Sequence, residues 1–479
     1  MLKRLIQGFG ANFLTQILNL ASRVLLVPLF LAAWGTNVYG EWLLLTSIVA
    51  YLSLTDMGGQ LYIINRLTQA YAQRDLPLFR KILHTGFSLF LIIPLTVFVI
   101  FVVVIFFFPL GSLLQITITS RQVVFLVLAV LAFQFVFSLP QGILLGIYRA
   151  VGLLPRGAML INAMLAVTIA LVALGLWLRA GLVAIACLQL LPCLGVTLVA
   201  GRDLNRRFPQ FQLFSLRQAD LFFGLTFIKP SLQFFLIMLA QACSIQGMVV
   251  IVGLVLGSAQ LVVYATLRTI VYSIRHVLGL LAHTAWPEMT RLDAEDNSAS
   301  LVILFRGILR STLVAATFLV IVFHFFGGTI YHAWLGDKVA YSQQVMDLLL
   351  LYMLPLIVWT CCGNLLMAVN RHHAYSPVVF ASSLLAIGLA YVGGRDYGLP
   401  GVVMGLIIGE GLVPLCIVPY LLYRYQVQFS ANFFIKELAP VAVALGSIAL
   451  FHLLTIPVLA LLLVWWGRCW PRHGLAWRR

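Results

Sequence analysis

Charge is what this sequence has least of. Of 479 residues only 9% are Asp, Glu, Lys or Arg, while 62% are hydrophobic and the mean hydropathy is +1.05. A soluble domain carries about 25% charged and 45–50% apolar residues. So little charge cannot cover so much apolar surface, which excludes a water-soluble enzyme. Long soluble insertions are missing too: the longest inner connections, Arg202–Asp220 and Pro287–Leu301, and the longest outer one, Gly327–Gln343, are each under 20 residues. That argues against a membrane enzyme such as a glycan polymerase, which needs a sizeable outer loop. Catalytic signatures are absent as well, with no HExxH, Walker A, GxSxG or DxD pattern. Of seven cysteines, six (Cys187, Cys193, Cys243, Cys361, Cys362, Cys416) sit in apolar stretches and Cys469 lies in the tail. None has metal-ligand spacing, and they read as small packing residues. His372-His373 reads as solvated surface. Neither a metal nor a cofactor is expected.

What is present is a succession of apolar runs. Uncharged stretches such as Ile92–Phe108 and Phe125–Phe137 suit a hydrocarbon core about 30 Å thick. The pattern predicts an all-α polytopic membrane protein, with spans 1 to 6 near residues 12–34, 41–64, 83–108, 122–147, 157–178 and 182–201. Spans 7 to 12 fall near 229–256, 260–284, 302–326, 344–369, 375–392 and 400–423. The basic start Met1–Arg4 leads into a run longer than a signal peptide, containing Asn19 and Arg23, and reads as a retained first helix. A last apolar block, 438–466, contains Pro457 and fits one tilted helix or a hairpin of two.

Bases outnumber acids 30 to 14, a formal net charge of +16. Topology accounts for this without nucleic acid. With the N-terminus cytoplasmic, 22 Lys and Arg fall on the inner side and four (Arg121, Arg179, Lys338, Arg395) on the outer, as the positive-inside rule requires. The Arg-rich tail then also lies inside, which needs an even number of spans. About 14 transmembrane helices are expected, with 12 as the fallback. A faint duplication supports tandem lobes: Gly35 and Gly257 are 222 residues apart, as are Pro192 and Pro414. The expected organisation is an N-terminal six-helix lobe (1–201), a cytoplasmic linker (202–228), a second six-helix lobe (229–424), and a C-terminal helix pair with basic tail (425–479).

Ionisable groups within a span cost roughly 2.5–3.5 kcal/mol or more on insertion scales, so each marks a partner or a cavity. Span 1 places Asn12, Gln16, Asn19 and Arg23 on one helical face; interhelical amide bonding and a water-filled cavity both fit that pattern. Span 8 sets Arg268, Tyr272, Arg275 and His276 on one broad face, and span 7 contributes Lys229, Gln233 and Gln241. Acids within spans are few. Asp56 pairs with an arginine, caps a break at Gly58-Gly59, or couples an ion; Glu410, between Gly409 and Gly411, is the better candidate for ion coupling. Arginines on two lobes with few acids imply an anionic cargo, because the guanidinium fork matches phosphate or pyrophosphate. The expected substrate-binding set is Arg23, Arg268, Arg275, Asn19, Gln16, Tyr272, Gln233 and Gln241, with Glu410 and Asp56 as ion-coupling residues.

Diffuse landmarks run the length of the chain: Gly35 with Tyr39-Gly40, Leu54 with Asp56-Met57-Gly58, Gly257 with Tyr264 and Arg268, Pro287, Trp334-Leu335-Gly336, and Tyr397-Gly398-Leu399 with Gly401. In this order and spacing the chain resembles the Wzx-type polysaccharide (O-antigen or exopolysaccharide) flippases of the multidrug/oligosaccharidyl-lipid/polysaccharide exporter superfamily. The resemblance implies two six-helix bundles in a V around a central cavity, alternating access, and an undecaprenyl-pyrophosphate-linked oligosaccharide as cargo. It also implies a bacterial inner-membrane location, and as partners a polyprenyl-pyrophosphate-linked glycan, membrane lipid and other polysaccharide assembly proteins. The related lipid II flippases, whose first lobe carries more cavity arginines than Arg23 alone, and the superfamily's small-molecule antiporters are the alternatives.

Overall fold

The computed structural model describes residues 2–108, 111, 114, 116–213, 219–226, 228–369 and 375–425. The expected helix pair and basic tail at 425–479, beyond Tyr425, and His372-His373 lie outside them. Among the described residues there are helices and no strands. Nine segments among the described residues are long and apolar enough to cross a membrane: Leu14–Asp56, Leu76–Phe107, Arg121–Ala150, Leu154–Trp177, Leu182–Arg207, Phe235–Gly279, Ser298–Lys338, Gln343–Ala368 and Tyr375–Arg424. Three of these are broken in two by a glycine, at Gly35, Gly257 and Gly398. The described chain therefore offers twelve helical stretches, nine segments with three of them divided in two, along the order expected from sequence. The protein is an all-α polytopic membrane protein.

The connections between spans 1 and 2 and between spans 7 and 8 are tighter than sequence suggested. Loops of about six and three residues were expected there; the helix instead resumes immediately after one glycine. Gly35 sits at φ 72, ψ 177 and Gly257 at φ 83, ψ 173, a conformation open only to a residue without Cβ. The two share a backbone geometry as well as a 222-residue offset.

Contacts divide the chain into two compact units, Met1–Val262 and Val263–Arg479. In the first, Gly40 lies so close to the backbone carbonyl of Ser258 that a Cβ would collide with it, which fixes the start of span 2 against the residue after the Gly257 break. Span 2 then breaks: a tight helical turn, Tyr51–Asp56, ends in positive φ at Met57 and Gly58 (46° and 75°) before the helix restarts at Gly59. The segment after span 6 docks on the helix Leu76–Phe107. Phe211 is fully buried, stacked on Phe208 (4.9 Å) and packed on Phe79 (4.4 Å). Arg80 donates to Gln210 O at 2.6 Å, and His84 Nε2 lies 3.1 and 2.9 Å from the carbonyls of Phe211 and Gln212. Lys81 pairs with Asp220 at 2.9 Å and holds its carboxyl below the usual carboxylate range. A depressed carboxylate contributes stability that is present above the ordinary value and lost as pH falls through the lowered one, so this docking holds at neutral pH.

Glu41, one residue after Gly40, is almost wholly buried. Its Oε1 accepts the backbone N–H groups of Thr117 and Ile118 at 2.9 Å, and its Oε2 accepts Thr119 N–H at 2.9 Å together with the Thr119 hydroxyl. One carboxylate thus saturates the loop between spans 3 and 4. Hydrogen bonds to a charged acceptor contribute about 1.5–3 kcal/mol each. Glu41→Ala should therefore speed amide exchange at residues 117–119 at least tenfold, measured by hydrogen–deuterium exchange in detergent; unchanged exchange there would show that the loop does not depend on this side chain.

In the second unit the hairpin of spans 11 and 12 closes on small residues. A Cβ at Gly405 would lie 2.5 Å from Ala390 N, and one at Gly409 would lie 2.5 Å from the Ala386 backbone. Gly401, Gly405 and Gly409 recur every fourth residue, so one helical face carries no side chains and backbone meets backbone. The Gly-x3-Gly-x3-Gly run is plain in the sequence, and it sets the depth and rotation of the neighbouring Glu410.

Candidate functional site

The second unit gathers the span 8 face into a ladder. Tyr264, Arg268, Tyr272 and Arg275 follow at spacings of four, four and three, on one side of the helix. The Arg268 guanidinium carbon lies 5.2 Å from the ring centres of both Tyr264 and Tyr272, and that of Arg275 lies 4.5 Å from Tyr272. Tyr264 and Tyr272 are buried, while both arginines are partly exposed. Each cation rests on an aromatic face, worth about 0.5–2 kcal/mol depending on desolvation. The rings back the guanidinium groups along one side of the helix. On the same helix the Thr266 hydroxyl meets the Tyr331 hydroxyl at 2.8 Å, which fixes the rotation of span 8 against span 9.

Glu410 lies in the same unit of the chain. It lies in a π-helical turn, Ile407–Leu412, one residue wider than an α-turn, a distortion common where a helix carries function. The carboxylate is 4% exposed. Its Oε2 accepts the Tyr352 hydroxyl at 2.6 Å, and its backbone carbonyl accepts the Trp359 indole N–H at 2.8 Å, both from span 10. Sequence reasoning named Arg268, Tyr272, Arg275 and Glu410 and missed Tyr264, Tyr352 and Trp359. The spacing of Tyr264 from Arg268 was a usable signal; nothing in a single sequence brings span 10 tyrosines to a span 12 acid.

The span 1 residues belong to the first unit. Gln16 and Asn19 are partly exposed and Arg23 is exposed, on the common face their spacing predicts. Beside them the Thr15 hydroxyl donates to Asn162 Oδ1 at 2.7 Å, a polar tie between spans 1 and 5. Gln241 is exposed on span 7; the side chains of Asn12, Lys229 and Gln233 lie outside the described residues. Asp56 Oδ1 accepts the Gln60 N–H at 3.0 Å, so this acid caps the helix that restarts after the Gly58-Gly59 break. Among the described residues no group of His, Cys, Asp and Glu is arranged to hold a metal ion.

No family model matches the sequence, and no curated protein matches it. Solved structures do. An inward-facing multidrug resistance MATE family transporter of the MOP superfamily superposes with a TM-score of 0.70 at 14% identity, covering 87% of this chain and 96% of that one. The lipid II flippase MurJ, in an inward closed conformation, gives 0.68 at 15% identity, covering 96% and 98%. A MATE structure in a bent conformation gives 0.57 at 16% identity, covering 91% and 95%. The chain has the MATE–MurJ fold. Similarity of backbone at this identity carries no substrate with it, so the cargo has to be argued from the side chains: a span 8 face of two aromatic-backed arginines, and a buried acid on span 12.

Proposed function

We propose that the protein is a Wzx-type flippase that moves an undecaprenyl-pyrophosphate-linked oligosaccharide from the cytoplasmic to the periplasmic leaflet of the bacterial inner membrane. The observation that carries this reading is the Tyr264–Arg268–Tyr272–Arg275 ladder within a membrane span. Two guanidinium groups at membrane depth have no use in a scaffold and suit a diphosphate, whose oxygens accept paired N–H donors. The lobes, 1–201 and 229–424 about the linker 202–228, alternate access to a cationic central cavity. Arg23 with Gln16 and Asn19 serves the cargo from the first lobe, and Arg268, Arg275, Tyr272, Gln233 and Gln241 from the second. Gln16, Asn19, Gln233 and Gln241 supply amides for sugar hydroxyls. Glu410 is the ion-coupling acid. MurJ, a lipid II flippase, lends support as a protein of the same fold. An exporter of cationic drugs would want acids where this chain places Arg268 and Arg275.

Depletion of the protein should leave its lipid-linked glycan on the cytoplasmic leaflet, with surface glycan lost and the protein-free membrane otherwise intact. Unchanged surface glycan with altered drug efflux would favour the antiporter reading. The termini are proposed to be cytoplasmic, from the 22-to-4 distribution of bases. A periplasm-active reporter fused after Arg121 or Lys338 should be active and one fused after Arg207 or Arg479 silent. Activity at Arg479 would exclude an even number of crossings.

A further inference from the structure

Resting on the reading of the span 8 ladder as a diphosphate site, we propose that Tyr331, near the end of the span 9 helix Ser298–Leu335, is a positioning residue for Arg268. Its phenol O–H pins Thr266 on the back of span 8 and so sets the direction in which the arginines point. At about 100° per residue, the four ladder residues fall within about 80° of one another around the helix, and Thr266 lies about 165° from their centre. Three aliphatic hydroxyls occupy residues 263–275 of span 8. Those of Thr269 and Ser273 turn back on their own helix, donating to the carbonyls of Ala265 (2.7 Å) and Thr269 (2.6 Å). Thr266 reaches across. Its hydroxyl donates to the Val263 carbonyl at 3.0 Å, and therefore accepts from the Tyr331 hydroxyl at 2.8 Å. Both side chains are buried. Tyr331 is held in turn: its ring packs on Tyr341 at 5.2 Å and on Trp334 at 6.3 Å. Tyr341 lies so close to Gly327 and Gly328 that a Cβ at either would press on it.

Apolar contacts are non-directional, so packing alone sets the rotation of a membrane helix loosely. A hydrogen bond has a defined length and angle and sets it sharply. Rotation matters at this site. A group on the surface of a helix stands about 5–6 Å from the axis, so a turn of about 20° carries it through about 2 Å, and an extended guanidinium further. That exceeds the tolerance of paired N–H···O bonds, whose lengths run from about 2.7 to 3.2 Å. The two ends of the Tyr331–Thr266 bond are also unequal. Without the phenol O–H, Thr266 still donates to the Val263 carbonyl. Without the threonine hydroxyl, Tyr331 strands a buried O–H, which is the costlier loss.

That inequality separates positioning from plain stability. Purified full-length protein in neutral detergent, at fixed ionic strength, would be titrated with inorganic pyrophosphate and melted in parallel. Tyr331→Phe, Thr266→Val and the double variant should each bind about threefold to tenfold more weakly than wild type, the range that one hydrogen bond commands. The three losses should be equal, because all three variants lack the same bond. Thr266→Ser keeps the hydroxyl and should bind as wild type does. Melting should follow a different order: Thr266→Val lowest, because it strands the phenol, with the double variant above it. A merely structural role would make binding follow that same order. Wild-type affinity in Tyr331→Phe, losses that add in the double variant, a loss in Thr266→Ser, or binding that tracks melting overturns the positioning role. If Arg268→Ala abolishes binding in the same assay, the diphosphate site stands regardless. Pyrophosphate binding that survives Arg268→Ala, or none by the wild type, overturns the site and the role of Tyr331 with it.

Discussion

Arg268→Ala should reduce surface glycan about thirtyfold or more while the protein stays folded in the membrane at wild-type level. Arg268 is the arginine backed by two rings, 5.2 Å from each, so it is the most fixed donor in the ladder. Truncating one partner of a desolvated, hydrogen-bonded charge pair costs about 2–5 kcal/mol, and each 1.4 kcal/mol is tenfold. Arg268→Lys should restore a minority of export, because an ammonium keeps the charge and loses the planar fork. Arg275→Ala should fall between the two, since it has one ring beneath it at 4.5 Å. Glycan quantified at matched protein level is the readout, and normal glycan in both alanine variants would remove the anion site from the mechanism.

Gly405→Leu should be among the most damaging single changes to the fold. Its Cβ would start 2.5 Å from Ala390 N and 2.7 Å from Leu389 C, and neither atom can give way as a flexible side-chain end would. Overpacking a core by a few methylenes costs about 1–3 kcal/mol, occasionally more; against backbone, the cost should reach at least about 3 kcal/mol. The hairpin of spans 11 and 12 would splay, and the π-helical turn holding Glu410 with it. Thermal unfolding in detergent should shift down by several degrees or the protein should fail to accumulate. Gly388→Leu, on the same hairpin with open space at its Cβ, is the control and should be tolerated. Similar behaviour of the two variants would show that the seam is not tight.

The fold was legible because it follows from coarse properties. Apolar run length marks the membrane helices, and that reading survives any local error in a loop. The Gly35 and Gly257 breaks were visible as a repeat, but not as single-residue breaks, because a glycine at φ near +75° and a short loop look alike in sequence. Glu41 shows the opposite limit. At the end of a span it reads as an interfacial acid, whereas it is buried and holds a loop 76 residues away; only tertiary structure brings the N–H groups of 117–119 to it. At the candidate site the span 8 face was readable from i,i+4 spacing, since one helix carries it all. Tyr352 and Trp359 were not, because they come from another helix and carry no charge to draw attention. Asp56 was readable in kind: an acid just before Gly58-Gly59 is where a restarting helix wants an acceptor for its first N–H groups, and Gln60 N–H is what it accepts.

The most direct measurement is flipping itself. Purified protein in liposomes, with a fluorescent polyprenyl-diphosphate-linked oligosaccharide placed in one leaflet, would be assayed by quenching from the other side. The wild type should exchange the lipid between leaflets well above protein-free liposomes, and the Arg268→Ala/Arg275→Ala variant should not. Exchange by the double variant at the wild-type rate, or none above background by the wild type, would contradict the account.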